Sequence, residues 1–230
     1  MSEGKTTPAV EEYLEAIYRL TEKGEPAHLT LLAERLAISS VSANEMVRKM
    51  AERGLVTYEP YKGVALTPAG RQRAESMIRR HRLWERFLTD VLRFPWHQVH
   101  EEACRLEHAT SDLLEEYLTA HLAQPGSCPH GIPFPGGESS LEKSLTLAEL
   151  PTTRTGRIVA VMNEDAAFLS ALDRAGLKPG ALVEMVQVEP AMQSVTIRIA
   201  GERNTIAETV AEQIRIMPVE DMPKKEDDAK

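Results

Sequence analysis

The sequence predicts a mainly α protein with small β parts: a winged helix-turn-helix domain, then a helical domain, then a small β-barrel domain. Three observations carry this. Residues 9–53 hold three helical patterns with a short turn before the third. Residues 55–66 read as two short strands about a turn, after which long helical periodicity returns. Beyond a Pro/Gly-rich stretch, residues 145–218 break into short β-like runs around one helix. A chain of 230 residues has room for two modest domains or three small ones, since a piece above about 60 residues can bury its own core.

Residues 9–22 form the first expected helix, with Val10, Tyr13, Leu14, Ile17 and Tyr18 recurring at spacings of three and four. Pro8 suits its first turn and Gly24 its end. Residues 29–37 give a second helix, and Ser39 and Ser40 are N-cap candidates for a third over 41–53. Val41, Val47 and Met50 are expected on its buried side, and Gly54 as its C-cap. Helix, short turn and helix of this size is the helix-turn-helix pattern. Leu55–Glu59 and Val64–Leu66 flank Pro60-Tyr61-Lys62-Gly63 and read as a hairpin wing. Thr67-Pro68 starts a helix that runs to about Val91, Phe94-Pro95 interrupts it, and Gln98 to about Leu122 is expected as one more long helix. Both are long for a DNA-binding module and read as a dimerisation unit. Residues 124–140, with four prolines and four glycines, read as an extended, unpacked linker. Strands are expected at 155–161, 182–188 and 194–199, a helix at 166–175, and a disordered charged tail at 224–230. The expected domains are 1–75, 76–145 and 146–220, with 221–230 as tail.

The net charge of −8 argues against nucleic acid until its distribution is read. Residues 48–93 carry 11 Lys/Arg against 5 Asp/Glu, whereas 94–145 carry 2 against 8. One basic block in an acidic chain is the footprint of a nucleic-acid binder. No apolar run reaches the roughly 20 residues of a membrane span, and the N-terminus lacks a signal-peptide pattern. A cytoplasmic protein with two unpaired thiols, Cys104 and Cys128, is therefore expected.

Cys104, Glu107 and His108 lie at i, i+3 and i+4, on one helical face, with His100 one turn earlier. His81 and Glu85 repeat the i, i+4 spacing in the preceding helix. A single histidine is more often a plain core or surface residue, but the set has the spacing of a metal site inside a helical scaffold. Carboxylates, imidazoles and one thiolate are not a closed structural zinc set. They suit manganese(II) or iron(II), with zinc, cobalt or nickel able to bind in vitro.

These residues resemble those of the diphtheria-toxin-repressor and manganese-transport-regulator family of metal-dependent repressors. The likeness rests on Glu11-Glu12-Tyr13-Leu14-Glu15-Ala16-Ile17-Tyr18, Leu66-Thr67-Pro68-Ala69-Gly70-Arg71, His81–Leu88, Val99–His108 and Cys128-Pro129-His130-Gly131-Ile132-Pro133. The resemblance implies an SH3-like (FeoA-like) C-terminal domain and a homodimer on palindromic double-stranded DNA. It also implies a primary metal site of Glu12, Cys104, Glu107 and His108, with Glu15 as a further candidate, and a second site of His81, Glu85 and His100 to which Glu164 can add. Ala167, where another ligand is expected, cannot ligate. A carboxylate at Glu12 where iron-responsive members carry methionine favours manganese; Cys104 keeps iron(II) as the alternative. Ser39, Ser40, Ser42 and Asn44 are expected near bases or phosphates, and Arg48, Lys49 and Lys62 on phosphate.

The resulting expectation is a manganese-dependent repressor of metal-uptake genes, not an enzyme, with no membrane and no small-molecule substrate among its partners. Two readings from other classes compete. A metallohydrolase would need an open metal position and a nearby base, for which no motif is present. A metal-independent winged-helix regulator would use the third domain for a peptide or effector.

Overall fold

The structure is a computed structural model that describes residues 7–21, 24–136 and 140–219; the charged tail lies outside the described residues. Residues up to His81, with Arg105–Asp112, form one compact unit, and Arg82–Cys104, with residues from Leu113 onward, form a second.

In the first unit α1 spans Pro8–Leu20, α2 Leu29–Arg35 and α3 Ser40–Glu52. Leu14, Ile17, Leu32, Val47 and Met50 are fully buried in one core, so any one of them cut to alanine costs about 2–5 kcal/mol. α1 stops at Leu20 with Thr21 as cap, whose hydroxyl donates to the Ile17 carbonyl (2.8 Å). Ser39 caps α3 by accepting from the Ser42 N–H at 3.1 Å, and Gly54 takes the left-handed conformation beyond its end (φ +68°). Val41 departs from expectation. It lies in the first turn of α3 and is 70% exposed, because the helix buries Ala43, Val47 and Met50 and position 41 points well away from that stripe.

Strands β1 (Val56–Glu59) and β2 (Gly63–Leu66) pair antiparallel, Val56 opposite Leu66 and Glu59 opposite Gly63, and Ala27 bridges Val64. This hairpin is the wing. Thr67 Oγ1 accepts from the Gly70 N–H (3.1 Å) and starts α4, Pro68–Asp90.

The single long helix expected over 98–122 is two: α5, Val99–Glu107, and α6, Asp112–His121. The Ala109 and Thr110 N–H groups donate three residues back, to Leu106 and Glu107, and the Thr110 hydroxyl donates to the Leu106 carbonyl at 2.8 Å. That tightening competes with helix continuation.

The second unit carries a six-stranded antiparallel sheet of order β3-β8-β4-β5-β6-β7. Its strands are β3 (Leu145–Thr146), β4 (Thr155–Val161), β5 (Leu182–Glu189), β6 (Ser194–Ile199), β7 (Glu202–Ala207) and β8 (Ile214–Pro218). Helices α7 (Ala166–Arg174) and α8 (Glu208–Ala211) complete it. Register shifts at Ile158/Ala160 and Met185/Gln187 bend the strands as a small barrel requires. Ile158, Leu169, Val183, Ile197 and Ile214 fill the core, and Trp96 joins them from the segment between α4 and α5.

The Pro/Gly stretch is not the unpacked linker the sequence suggested. Ser127 bridges Pro133, the Cys128 N–H donates to the Ile132 carbonyl (2.9 Å), and the Val161 N–H donates to the His130 carbonyl (2.8 Å). These backbone bonds close a turn and dock it against β4, a shape the prolines favour. Gly131 is required there. Its φ is +85°, and a Cβ would stand 1.9 Å from the Val159 carbonyl oxygen. Gly131→Ala is expected to destabilise this unit by about 2–4 kcal/mol, read as a lowered midpoint in thermal unfolding; an unchanged midpoint would contradict this packing.

Candidate metal centre and nucleic-acid face

Successive α-helical residues point about 100° apart. With Val10, Tyr13, Leu14, Ala16 and Ile17 buried, Glu11 and Glu15, one turn apart on a shared stripe of α1, are half-buried, while Glu12 is exposed. The sequence-based expectation gave Glu12 the ligand role, but Glu11 is the residue at the cluster here: its Oε2 lies 2.8 Å from His108 Nδ1. His108 Nε2 is 3.4 Å from Glu107 Oε1, and Glu107 Oε2 is 2.7 Å from His81 Nδ1. Glu107 and His81 are both buried, at 2% and 1% exposure. The structure therefore pairs His81, assigned above to the second set, with Glu107 of the first. Arg19 donates to Glu15 Oε1 through Nη2 (2.7 Å) and Nε (3.1 Å).

Burial pushes the Glu107 carboxyl above its ordinary range; His81 pulls it down by hydrogen bond and charge, and the Glu15 carboxylate pushes it up again. The cluster has more acidic oxygen than its imidazoles neutralise. A neutral imidazole also keeps one lone pair, and His108 faces a carboxylate oxygen at each nitrogen. Such a donor set fits a divalent cation.

A second cluster forms in the other unit. Glu85, Cys128, His130 and Glu164 each bring one ligand atom within 4.8 Å of the others. His130 Nδ1 lies 3.4 Å from Glu85 Oε1 and 3.8 Å from Cys128 Sγ. His100 Nδ1 is 3.6 Å from both Glu85 Oε1 and Glu164 Oε2, and Cys104 Sγ is 3.8 Å from His100 Nε2. His130 Nε2 donates to the Trp96 carbonyl at 2.9 Å. That bond turns the Nδ1 lone pair of the neutral ring toward Glu85 and Cys128, the orientation an outer hydrogen bond gives a metal-binding histidine. Burial lowers the His130 pKa, but the hydrogen bond and charge of Glu85 more than reverse this, so it ends raised. Burial pushes the Cys128 thiol well up, and Glu85 and Glu164 add to the rise. Both groups sense the negative charge of Glu85 and Glu164 beside them.

Cys128 and His130 entered the sequence reading only within a motif that carries the family resemblance, with no ligand role assigned to either. The available signal was two ligand types two positions apart in a Cys-Pro-His turn.

On α3, Ser42, Arg48 and Lys49 are exposed together with Val41 and Glu45. Ser39 is occupied as the cap, Ser40 is exposed beside it, and Asn44 Oδ1 accepts from the Tyr58 hydroxyl at 3.0 Å. Lys62 pairs with Glu59 (2.6 Å) at the wing's turn, where Tyr61 stands fully exposed.

Three family models match. Residues 5–64 match the N-terminal DNA-binding domain of the iron-dependent repressors, 67–136 their metal-binding and dimerisation domain, and 145–218 the FeoA domain. The diphtheria toxin repressor of Corynebacterium glutamicum is 33% identical over 222 residues, covering 91% of this chain and 96% of that protein. The iron-dependent repressor IdeR of Mycobacterium tuberculosis is 34% identical over 224 residues, with the same two coverages. A manganese-dependent transcriptional repressor solved in complex with manganese superposes with a TM-score of 0.82 at 30% identity, over 91% of this chain and all of that one. The manganese regulator SloR superposes at 0.74 with 32% identity, over 93% of this chain and all of that one. The chain belongs to the diphtheria-toxin-repressor and manganese-transport-regulator family of metal-dependent, DNA-binding transcriptional repressors.

Proposed function

We propose that this repressor is activated by manganese(II) and, as a homodimer on a palindromic operator, silences metal-uptake genes when metal is plentiful. The observation that carries the metal assignment is the carboxylate-rich set in the first unit, where Glu11 and Glu107 face His108 and Glu15 lies near enough to Glu107 to raise its pKa. Hard oxygen donors with one imidazole suit manganese(II). Two of the similar solved structures are named for manganese. Iron(II) is the second reading, favoured by the thiols of Cys104 and Cys128 and by relatives named as iron-dependent repressors.

Glu107 and His108, with Glu11 or Glu15 from α1, would hold the activating ion; the family resemblance adds Glu12 and Cys104. Glu85, Cys128, His130 and Glu164 would hold a second. The bound cation supplies the positive charge that lets these carboxylates approach one another. In its absence His81 and His108 balance Glu107, and Arg19 holds Glu15. With the charge supplied, α1 is tied to the end of α5, and the domain that carries α3 is fixed for DNA. Two α3 helices must sit about 34 Å apart to enter successive major grooves. For the homodimer we assign the exposed apolar side of α6, where Leu113, Leu114 and Tyr117 are 63%, 40% and 70% exposed inside the segment that matches a dimerisation domain.

Anaerobic fluorescence-anisotropy titrations on operator DNA test the scheme. Manganese(II) should tighten binding by about 10- to 150-fold over chelator, and more than iron(II) does. Equal affinity with and without metal would overturn the metal-dependent reading, and a larger iron(II) response would reassign the metal.

Glu107→Gln separates a ligand from a structural carboxylate. A carboxyl whose folded pKa is raised costs stability as pH climbs from its unfolded value of 4.5 through the folded one. The metal-free variant should therefore be at least as stable as the metal-free parent at neutral pH, yet manganese(II) should no longer raise its melting temperature. A variant still stabilised by metal would remove Glu107 from the site.

The two thiols should also differ. Cys128 is buried with its thiol held protonated, and Cys104 is half-buried, so iodoacetamide should label Cys104 first in metal-free protein. Equal rates, followed by mass spectrometry, would contradict the packing of the Cys-Pro-His turn.

A further inference from the structure

The contact between the wing and α3 decides what Asn44 can read. A side-chain amide offers one carbonyl oxygen and one NH2. The hydroxyl of Tyr58, half-buried on β1, donates to Asn44 Oδ1. That bond fixes which way the amide faces: the oxygen turns to the wing and Nδ2 is the group left for a ligand. Asn44 lines a cleft between α3 and the wing together with Val41, Arg48, Tyr58 and Tyr61. Val41, Asn44 and Arg48 fall at i, i+3 and i+7, one stripe along the helix.

An asparagine reads adenine by using both groups at once, the oxygen accepting from N6 and the nitrogen donating to N7. With its oxygen turned to Tyr58, Asn44 does not present that edge. Guanine offers two acceptors, N7 and O6, whereas cytosine offers only the N4 donor. We infer that Tyr58 makes Asn44 a donor-only reader, selecting guanine and rejecting cytosine at one position of each operator half-site. Tyr58 is then a positioning residue and Asn44 the residue that determines specificity. The inference rests on the DNA-binding reading of α3 proposed above.

The test is selection from a randomised palindromic DNA library by the full chain in manganese(II), repeated with three variants whose thermal unfolding is matched to the parent. The parent should enrich guanine over cytosine about 5- to 150-fold at one position per half-site. Asn44→Ala should lose that preference while leaving the other positions alone. Tyr58→Phe keeps the ring but frees the amide, so adenine should come within about twofold of guanine there. Asn44→Asp replaces the donor by an acceptor and should invert the preference toward cytosine. Enrichment identical in all four proteins would overturn the inference and leave metal-dependent DNA binding standing. Absence of enrichment in every protein, with metal present, would overturn the DNA-binding reading and this inference with it.

Discussion

Burying the Glu107 carboxyl is the constraint on which the first unit turns. An isolated buried carboxylate is too costly to persist, so it must be neutralised, paired or bound to a cation. This chain brings partners from two other helices: His81 from α4, and Glu11 by way of His108. Each arrives because its helix buries an apolar stripe that leaves one neighbouring position aimed at the cluster. Removing His81 would leave the Glu107 carboxylate buried without its nearest partner, a loss that typically costs about 3–5 kcal/mol, whereas neutralising Glu107 itself strands no charge. Glu15 adds negative charge near a carboxyl that burial already pushes up, which makes the arrangement a poor way to stabilise a fold and suits the cation proposed for it.

The second unit meets the same constraint with different materials. Glu85 is fully buried, and its partner His130 comes from a turn instead of a helix. That turn is held at three points: the His130 ring on the Trp96 carbonyl, the His130 main chain on β4, and Gly131 pressed against Val159. Trp96 lies in the β-barrel core, so the group that orients His130 is itself locked by packing. Outer contacts of this kind set the direction of a ligand's lone pair as firmly as the ligand's own rotamer.

These physical origins explain what was legible in the sequence. Helical and strand periodicities are local, and they placed α1 to α4, the wing and three of the six barrel strands, β4, β5 and β6, within a few residues. The break at 108–111 was not legible because Thr110 and its neighbours can be read as helix until their hydrogen bonds are seen to run three residues back. Val41 is apolar and near the start of α3, where too few turns precede it for the pattern to show that it points away from the buried stripe. The packed Cys-Pro-His turn looked like linker because its prolines and glycines are also what linkers use; only its contacts with β4 distinguish the two. The exchange of Glu11 for Glu12 beside His108 is subtler. Two adjacent carboxylates differ by about 100° on a helix, and which of them faces the cluster depends on how α1 packs, which is tertiary information.

The packing of α1 also links the proposed metal site to the helix proposed to read DNA. Its acidic side meets the end of α5, while Leu14 and Ile17 sit in the same core as Val47 and Met50 of α3. Protein interiors are close-packed and do not deform smoothly, so a force that repositions the carboxylates of α1 is carried to α3 as a shift of a packed element. The wing is joined to the same helix from the other side, through Tyr58 and Asn44. In the proposed scheme, a change of charge at Glu107 and the presentation of an amide to a base edge are two ends of this one packed core. Such a coupling needs no contact between metal and DNA, only two arrangements of this core that differ in how they bind each.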